Sequence, residues 1–171
     1  MKIFIVNGKS ASGKSTIEKM ICNIAKENNE KIKILSTIDY VKDIAKTFGW
    51  NGEKEKKDRK MLSDLKDLLT EWNDIPHKVI NRNIEKAQLD GYTAVFIDSR
   101  EPADIKRFVE EYNAITILIE RWEKDFIVGN HADDNVYDYN YDCYINNTRG
   151  LEELRQEAQI FYDCFIKEEE Y

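Results

Sequence analysis

The chain has 171 residues, of which 42% are hydrophobic and 35% charged, and its formal net charge is -7. This length and composition predict one folded domain and exclude a disordered chain, while the negative balance argues against a general nucleic-acid-binding surface. Because no apolar run approaches the length of a signal peptide's core or a membrane span, we expect a cytoplasmic protein with no membrane partner.

Apolar runs and helical stripes alternate along the chain. The runs predict five strands, at residues 3–6, 32–36, 94–97, 114–119 and 143–145. Between and after them, apolar residues at helical spacing predict amphipathic helices, which include a helical insert at 53–88. Residues 121–140 lose this periodicity and are predicted to form a lid-like loop. The alternation predicts a single α/β domain over residues 1–171, with a five-stranded parallel sheet covered on both faces by helices.

A glycine-rich loop joins the first predicted strand to the first helix. Residues 8–15 match the pattern G-x-x-x-x-G-K-S/T, whose backbone amides surround phosphate oxygens at a helix N-terminus. Lys14 is expected to reach the β and γ phosphates of ATP, and the Ser15 hydroxyl to bind Mg²⁺. The predicted nucleotide-binding residues here are Gly8, Ser10, Ala11, Ser12, Gly13, Lys14, Ser15 and Thr16. The pattern leaves open which molecule accepts the phosphoryl group.

A carboxylate and a guanidinium follow the third predicted strand. Asp98 is suited to orient magnesium-bound water or to accept a proton from an attacking group. Arg100 is suited to grip an acceptor phosphate with two hydrogen bonds. The alternative is that both residues only begin the turn and helix before Pro102.

Three further residues are candidates for binding the acceptor. Asp39 follows the second strand, although it is equally suited to cap the next helix. Arg59 and Arg82 lie in the helical insert and carry the group that best fits a phosphate, but most charges of residues 53–60 are expected to be solvated.

The lid-like loop supplies the last candidates. Arg121 is the strongest, because a cation in a lid can cover the transferring phosphate. His131, Asp133 and Asp134 are weaker, since a lone histidine in a polar loop is more often structural and paired aspartates alone do not define a metal site. The tyrosines in and after this loop are expected to pack as in a strand, with base stacking as the alternative: Tyr137, Tyr139, Tyr141 and Tyr144.

The cysteines Cys22, Cys143 and Cys164 show no C-x-x-C spacing, so they predict reduced, buried thiols rather than disulfides or a zinc site.

With its glycine-rich loop, Asp98-x-Arg100 and the late pair Asn146-Asn147, the chain resembles the nucleoside monophosphate kinases. Within this group it looks most like the phage-type deoxynucleoside monophosphate kinases and the phosphomevalonate kinases. The resemblance implies a three-layer P-loop fold and transfer of the γ-phosphoryl group from ATP-Mg²⁺ to a (deoxy)nucleoside monophosphate. Lys14, Asp98, Arg100 and Arg121 would be catalytic residues.

The same resemblance implies that residues 53–88 bind the acceptor, that residues 121–140 form the lid, and that Asn146 lies near the adenine. It also implies Ser15 and Asp98 as the metal site, small nucleotides as partners, and a monomer or homodimer. The predicted lid departs from adenylate kinases, because Arg121 is the only arginine near it. A kinase for another phosphorylated metabolite, such as dephospho-coenzyme A, and a nucleotide sensor without turnover are the alternative functions.

Overall fold

The structure is a computed structural model that describes residues 1–53, 55–121 and 135–167. Five parallel strands form one sheet in the order β2-β3-β1-β4-β5, which confirms the predicted fold class. The strands are β1 (Lys2–Asn7), β2 (Ile32–Ser36), β3 (Ala94–Asp98), β4 (Ile115–Glu120) and β5 (Cys143–Asn146). Three of them, β1, β3 and β4, are near-continuous apolar runs, as expected for parallel strands buried on both faces.

The order of the strands creates a crevice at the carboxyl end of β1. After β1 the chain continues to β2 at one edge of the sheet, whereas after β4 it continues to β5 at the opposite edge. At such a switch point the two connections diverge, which leaves room for a ligand beyond the strand ends. The register pairs Val6 of β1 with Asp98 of β3 and Asn7 with Leu118 of β4, so the carboxyl ends of all three strands lie at the same end of the sheet.

Helices pack on both faces of the sheet. On one face, α1 (Lys14–Glu27) and α6 (Leu151–Phe161) share a core with β1 and β3, in which the rings of Phe4 and Phe96 meet edge to face at 5.4 Å. A π-helical turn (Tyr162–Ile166) continues α6 into that core. Between these two helices along the chain, α5 (Pro102–Tyr112) packs against β1 and β4. Pro102 lies in its first turn, as predicted.

The chain divides into two compact units. Residues 1–34 and 91–171 form the first, and residues 35–90 form the second. The second unit holds α2 (Asp39–Thr47), α3 (Lys56–Asn73) and α4 (Ile75–Leu89), so it includes the predicted insert 53–88. At the start of α3, the backbone N–H of Glu55 donates to the Asp58 carboxylate at 3.2 Å and the Glu55 side chain accepts from the third residue of the helix. That the chain is one domain stays a prediction.

Two predicted apolar stripes are less buried than their spacing suggests. None of the residues of α3 is fully buried, and Trp72 exposes 73% of its surface. Phe48 lies one residue beyond the end of α2 and exposes 86%. Helical spacing places apolar residues on one face, but it does not specify how completely a neighbouring element covers that face.

The cysteines are free thiols, and Cys164 is exposed, which contradicts the prediction that all three are buried. Cys22 and Cys143 are half-buried. Among the helices that the structure describes, none is both long and apolar enough to span a membrane.

Candidate phosphate-binding site

The loop from Gly8 to Gly13 leads from β1 into the N-terminus of α1. Its turn is closed by the N–H of Ser12, which donates to the carbonyl of Lys9 at 3.1 Å. Ala11 and Gly13 adopt left-handed conformations, with φ of 63° and 94°. No side chain caps the start of α1, so the first N–H groups of this helix have no side-chain acceptor. Such a helix start attracts an anion.

Close packing explains why glycine occupies both ends of the loop. A Cβ atom on Gly8 would lie 2.7 Å from the carbonyl oxygen of Ile119 in β4, which is backbone and cannot easily move. A Cβ atom on Gly13 would collide with the side-chain amide of Asn147. That amide donates to the carbonyl of Ser12 at 2.8 Å and so ties the loop to the residues after β5. The loop is therefore fixed from two sides.

Lys14 and Asp98 form an ion pair at the carboxyl end of β3. Lys14 is the first residue of α1 and Asp98 the last residue of β3, and their side chains are only 14% and 21% exposed. The structure thus brings together two residues that the sequence predicts to be catalytic. Partial burial strengthens the attraction between the two charges.

A second carboxyl, that of Glu18, joins this pair. Glu18 lies one helical turn after Lys14, is 2% exposed, and is hydrogen-bonded to Asp98. Burial and, to a smaller extent, the negative charge of Asp98 raise the pKa of Glu18, and Lys14 lowers it, so that the net pKa is about 8. At neutral pH the Glu18 carboxyl is therefore mostly protonated, and it can donate a hydrogen bond to Asp98.

Asn7 fixes the beginning of the loop. It is fully buried, its Oδ1 accepts from the N–H of Gly8 at 2.8 Å, and its Nδ2 donates to the hydroxyl of Tyr141 at 2.7 Å. That hydroxyl donates in turn to the carbonyl of Val136 at 2.9 Å. Burial raises the pKa of Tyr141 and the bond from Asn7 lowers it, so that the net pKa is about 12 and the hydroxyl keeps its proton. This network connects the loop to the segment that precedes β5.

Two buried hydroxyl groups complete the site. Ser12 and Ser99 are each 1% exposed, and neither Oγ has a hydrogen-bond partner among the residues that the structure describes. Unpartnered buried hydroxyls are costly unless a ligand or water satisfies them. With the ammonium of Lys14 and the start of α1, the donors fit a phosphate chain. Asp98 and the exposed hydroxyl of Ser15 supply the hard oxygen ligands that suit Mg²⁺.

A pocket of about 260 Å³ opens beside the loop, within the first unit. Its wall combines the start of α1, the end of β4, and the turn before α6. The lining residues are Gly13, Thr16, Arg121, Asn147, Thr148, Gly150, Leu151 and Leu154. Polar groups near the loop and apolar side chains from α6 make it suitable for a planar organic group attached to phosphate.

The remaining predicted residues of the first unit lie around this site. Arg100 is half-buried, and its carbonyl accepts a long bond of 3.4 Å from the Nδ2 of Asn7. Ser10 and Ala11 are exposed in the loop. Asn146 ends β5 with an exposed side chain and is not among the pocket-lining residues, whereas the next residue, Asn147, is. The predicted roles of Arg100 and Asn146 stay predictions.

The second unit contains the other predicted acceptor ligands. Asp39 is the first residue of α2, where the N-cap position belongs to Ile38 and no side-chain cap is present, so the alternative of Asp39 as a cap is wrong. Its carboxylate accepts from Lys42 at 2.9 Å. Arg59 of α3 and Arg82 of α4 are exposed. Acceptor binding by these residues stays a prediction.

The predicted lid falls mostly outside the described residues, which include Arg121 but not His131, Asp133 or Asp134. The prediction that the four late tyrosines pack as in a strand is wrong for most of them. Tyr144 alone lies in β5, and Tyr137 belongs to a short 3-10 helix, Asn135–Tyr137. The alternation reflects a folded loop, whose anchor is the buried hydroxyl of Tyr141.

Sequence reasoning did not identify Asn7, Glu18 or Asn147 as site residues. Asn7 could have been found as a polar residue that ends a buried strand directly before the glycine-rich loop. Glu18 interrupts the apolar stripe of α1 directly after Ile17, one turn beyond Lys14, and that interruption was a usable signal. Asn147 belongs to the late asparagine pair, but only the fold places its amide against Gly13.

Comparison with protein-family models gives no match, and comparison with curated proteins gives none either. Among solved structures, the chain is similar to a cysteine-to-alanine mutant of the APS kinase from Mycobacterium tuberculosis. The identity is 15% and the TM-score 0.47, over 95% of this chain and 97% of that chain. This similarity is too low to assign a family or a substrate, so the functional assignment depends on the geometry of the site.

Proposed function

We propose that the chain is an ATP-dependent phosphotransferase that moves the γ-phosphoryl group to a (deoxy)nucleoside monophosphate. One observation carries the proposal: the glycine-rich loop and the uncapped start of α1 lie at the switch point of the sheet, next to the ion pair of Lys14 and Asp98. This crevice combines backbone N–H donors, an ammonium group and a carboxylate, which phosphoryl transfer requires.

Each group has a role that follows from its charge. The N–H groups of the loop and of α1 bind phosphate oxygens, and Lys14 neutralises charge on the β and γ phosphates. Since Lys14 pairs with Asp98, phosphate oxygens compete with that carboxylate for the ammonium. When bound, Mg²⁺ supplies further charge neutralisation, and Ser15 and Asp98 would hold it. Asp98 can alternatively accept a proton from the attacking group.

The pocket beside the loop supports a nucleotide rather than a bare phosphate compound as the donor. Its 260 Å³ are adjacent to Gly13 and Thr16, so a ring system bound there could be continuous with a phosphate chain on the loop. Arg121 offers a planar guanidinium for stacking, and Thr148 and Asn147 offer polar groups. Asn146, at the end of β5, is proposed to lie near the adenine. We propose Arg100, Arg59, Arg82 and Asp39 as acceptor ligands.

The test is to incubate the purified protein with ATP and Mg²⁺ and with each of the common ribo- and deoxyribonucleoside monophosphates, and to separate the products. Formation of ADP together with a nucleoside diphosphate supports the proposal. Transfer only to another phosphorylated metabolite, such as dephospho-coenzyme A, would refute the proposed acceptor. Tight ATP binding without any transfer would favour the nucleotide sensor, and absence of ATP binding would overturn every nucleotide-based function. A Lys14→Ala variant controls for contaminating kinases.

A further inference from the structure

Glu18 occupies a position where an apolar side chain would ordinarily be expected. It lies on the buried side of α1 and is 2% exposed, and its neighbour Ile17 and the next-turn residue Ile21 are 1% and 2% exposed. Burying a carboxyl group costs free energy unless hydrogen bonds compensate for the lost water. Glu18 is only partly compensated, because its Oε1 has no hydrogen-bond partner among the described residues. An apolar residue would therefore fill this position at lower cost.

The compensation that Glu18 does receive comes from the phosphate site. Its carboxyl group is hydrogen-bonded to Asp98, and it lies on the same face of α1 as Lys14, one turn away. Asp98 is itself paired with Lys14, so the three side chains form one connected group. Among the described residues, the thiol of Cys22, one turn further along α1, is a further titratable group near Glu18.

We propose that Glu18 is a positioning residue, whose buried side chain is hydrogen-bonded to Asp98 and thereby fixes the Asp98 carboxyl group at the end of β3. The inference rests on the proposed function, since Asp98 matters only if the crevice binds phosphate and metal. Asp98 lies at a strand end and its side chain is still 21% exposed, so a contact from a rigid element restricts its rotation away from Lys14. Glu18 limits this rotation from the rigid interior of α1.

Two substitutions separate the hydrogen bond from the volume and charge of Glu18. Glu18→Gln keeps an N–H donor of nearly the same shape, whereas Glu18→Met keeps the volume and removes the donor. Glu27→Gln, at an exposed position of the same helix, is the matched control. Each protein is examined by urea unfolding, by ADP binding with and without Mg²⁺, and by the kcat and KM of phosphoryl transfer.

For Glu18→Met we expect kcat to fall about 10-fold or more while KM for ATP changes by less than about threefold, and Mg²⁺ to strengthen ADP binding less than in the wild type. Stability should stay equal or rise, since an unfavourable buried polar group is removed. Glu18→Gln should remain within about threefold of the wild type in kcat, because an amide donor still reaches Asp98. Equal losses in both variants, or wild-type kinetics in Glu18→Met, would overturn the inference.

A double-mutant cycle keeps the inference testable even if Glu18→Met is poorly folded. In an Asp98→Asn background, Glu18→Gln and Glu18→Ala should have nearly equal kinetics and nearly equal Mg²⁺-dependent ADP binding, because Glu18 acts through Asp98. If Glu18→Gln and Glu18→Ala differ as much in the Asp98→Asn background as they do in the wild type, Glu18 does not act through Asp98. Lack of ADP binding and of transfer by the wild type would instead refute the proposed function, so the two failures are distinguishable.

Discussion

At the scale of single residues, the chemistry of the site depends on how three charged side chains share a partly buried space. Lys14 and Asp98 form an ion pair, and Glu18 is buried beside them. Two ionised carboxylates near one ammonium would leave excess negative charge, so the more buried carboxyl keeps its proton. The site therefore combines one carboxylate, one ammonium and one uncharged carboxyl group.

This arrangement predicts how stability depends on pH. The pKa of Glu18 is about 8 in the folded protein, against an ordinary value of 4.5. Between these values the folded state binds more protons than the unfolded state, so the free energy of unfolding decreases as pH rises through this window. We expect ligand-free wild-type protein to lose a few kcal/mol more than Glu18→Gln between about pH 5 and about pH 8, as measured by urea unfolding. Parallel pH profiles would contradict the assignment.

At the scale of elements, the loop between β1 and α1 is held by contacts with residues distant in sequence. Its backbone approaches Ile119 of β4 and Asn147 after β5, and Asn7 ties its first residue to Tyr141. Two residues of the loop have positive φ, one of them the non-glycine Ala11. Strain of this kind persists where surrounding structure enforces it, and it commonly marks ligand-binding loops.

Gly13→Ala tests the close approach of this loop to Asn147. Gly49 has almost the same φ, 95° against 94°, but a Cβ atom there would meet nothing within 4 Å, so Gly49→Ala is the matched control. We expect the control to lose about 1–2 kcal/mol of unfolding free energy from backbone strain alone. Gly13→Ala should lose more, because the Asn147 amide must move and release the carbonyl of Ser12. Calorimetry should also show that ATP binds at least about 10-fold more weakly to Gly13→Ala, but not to Gly49→Ala. Equal losses of stability and of ATP affinity in the two variants would argue against the contact between Gly13 and Asn147.

Tyr141→Phe tests the network that anchors the loop. The hydroxyl removed accepts from Asn7 and donates to Val136, so the buried amide of Asn7 loses an acceptor. We expect thermal or urea unfolding to show a loss of about 1–3 kcal/mol. Tyr40→Phe removes the hydroxyl of an exposed tyrosine in α2 and should cost less than about 0.5 kcal/mol. A comparable cost for both would mean that the Asn7 bond contributes little.

At the scale of the whole molecule, the phosphate site belongs to one of the two compact units. All of its described elements, from the loop to the pocket, come from residues 1–34 and 91–171. The proposed acceptor ligands Asp39, Arg59 and Arg82 come from residues 35–90. Donor binding can therefore be measured without an acceptor, and it should require only the first unit's residues.

Donor binding should appear as a stabilisation of the folded chain. ATP-Mg²⁺ at about 100 times its Kd should add about 2.7 kcal/mol to the free energy of unfolding, since a ligand that binds only the folded state shifts the equilibrium. A thermal-shift titration measures this effect directly. Lys14→Ala should fold but show little of the shift, because its ammonium is the main cation of the loop. An equal shift in both proteins would mean that ATP binds elsewhere.

The class of fold and the location of the phosphate loop can be predicted from the sequence alone. Local rules suffice for these features: strands buried on both faces are continuous apolar runs, the predicted strand at residues 32–36 coincides with β2, and Pro102 begins α5. The glycine-rich pattern likewise depends on neighbouring residues only, and the structure places it between β1 and α1 as predicted.

The side chains that meet at that loop are brought together by long-range packing of the fold. Asn7 and Tyr141 are 134 positions apart, and Asn147 and Ser12 are 135 apart, so no local pattern links them. The same holds for burial, because Phe48 and Trp72 fit apolar stripes yet remain exposed, whereas Glu18 is charged in sequence but buried. Periodicity assigns a residue to a face, and the elements packed on that face then determine its solvent exposure, protonation and partners.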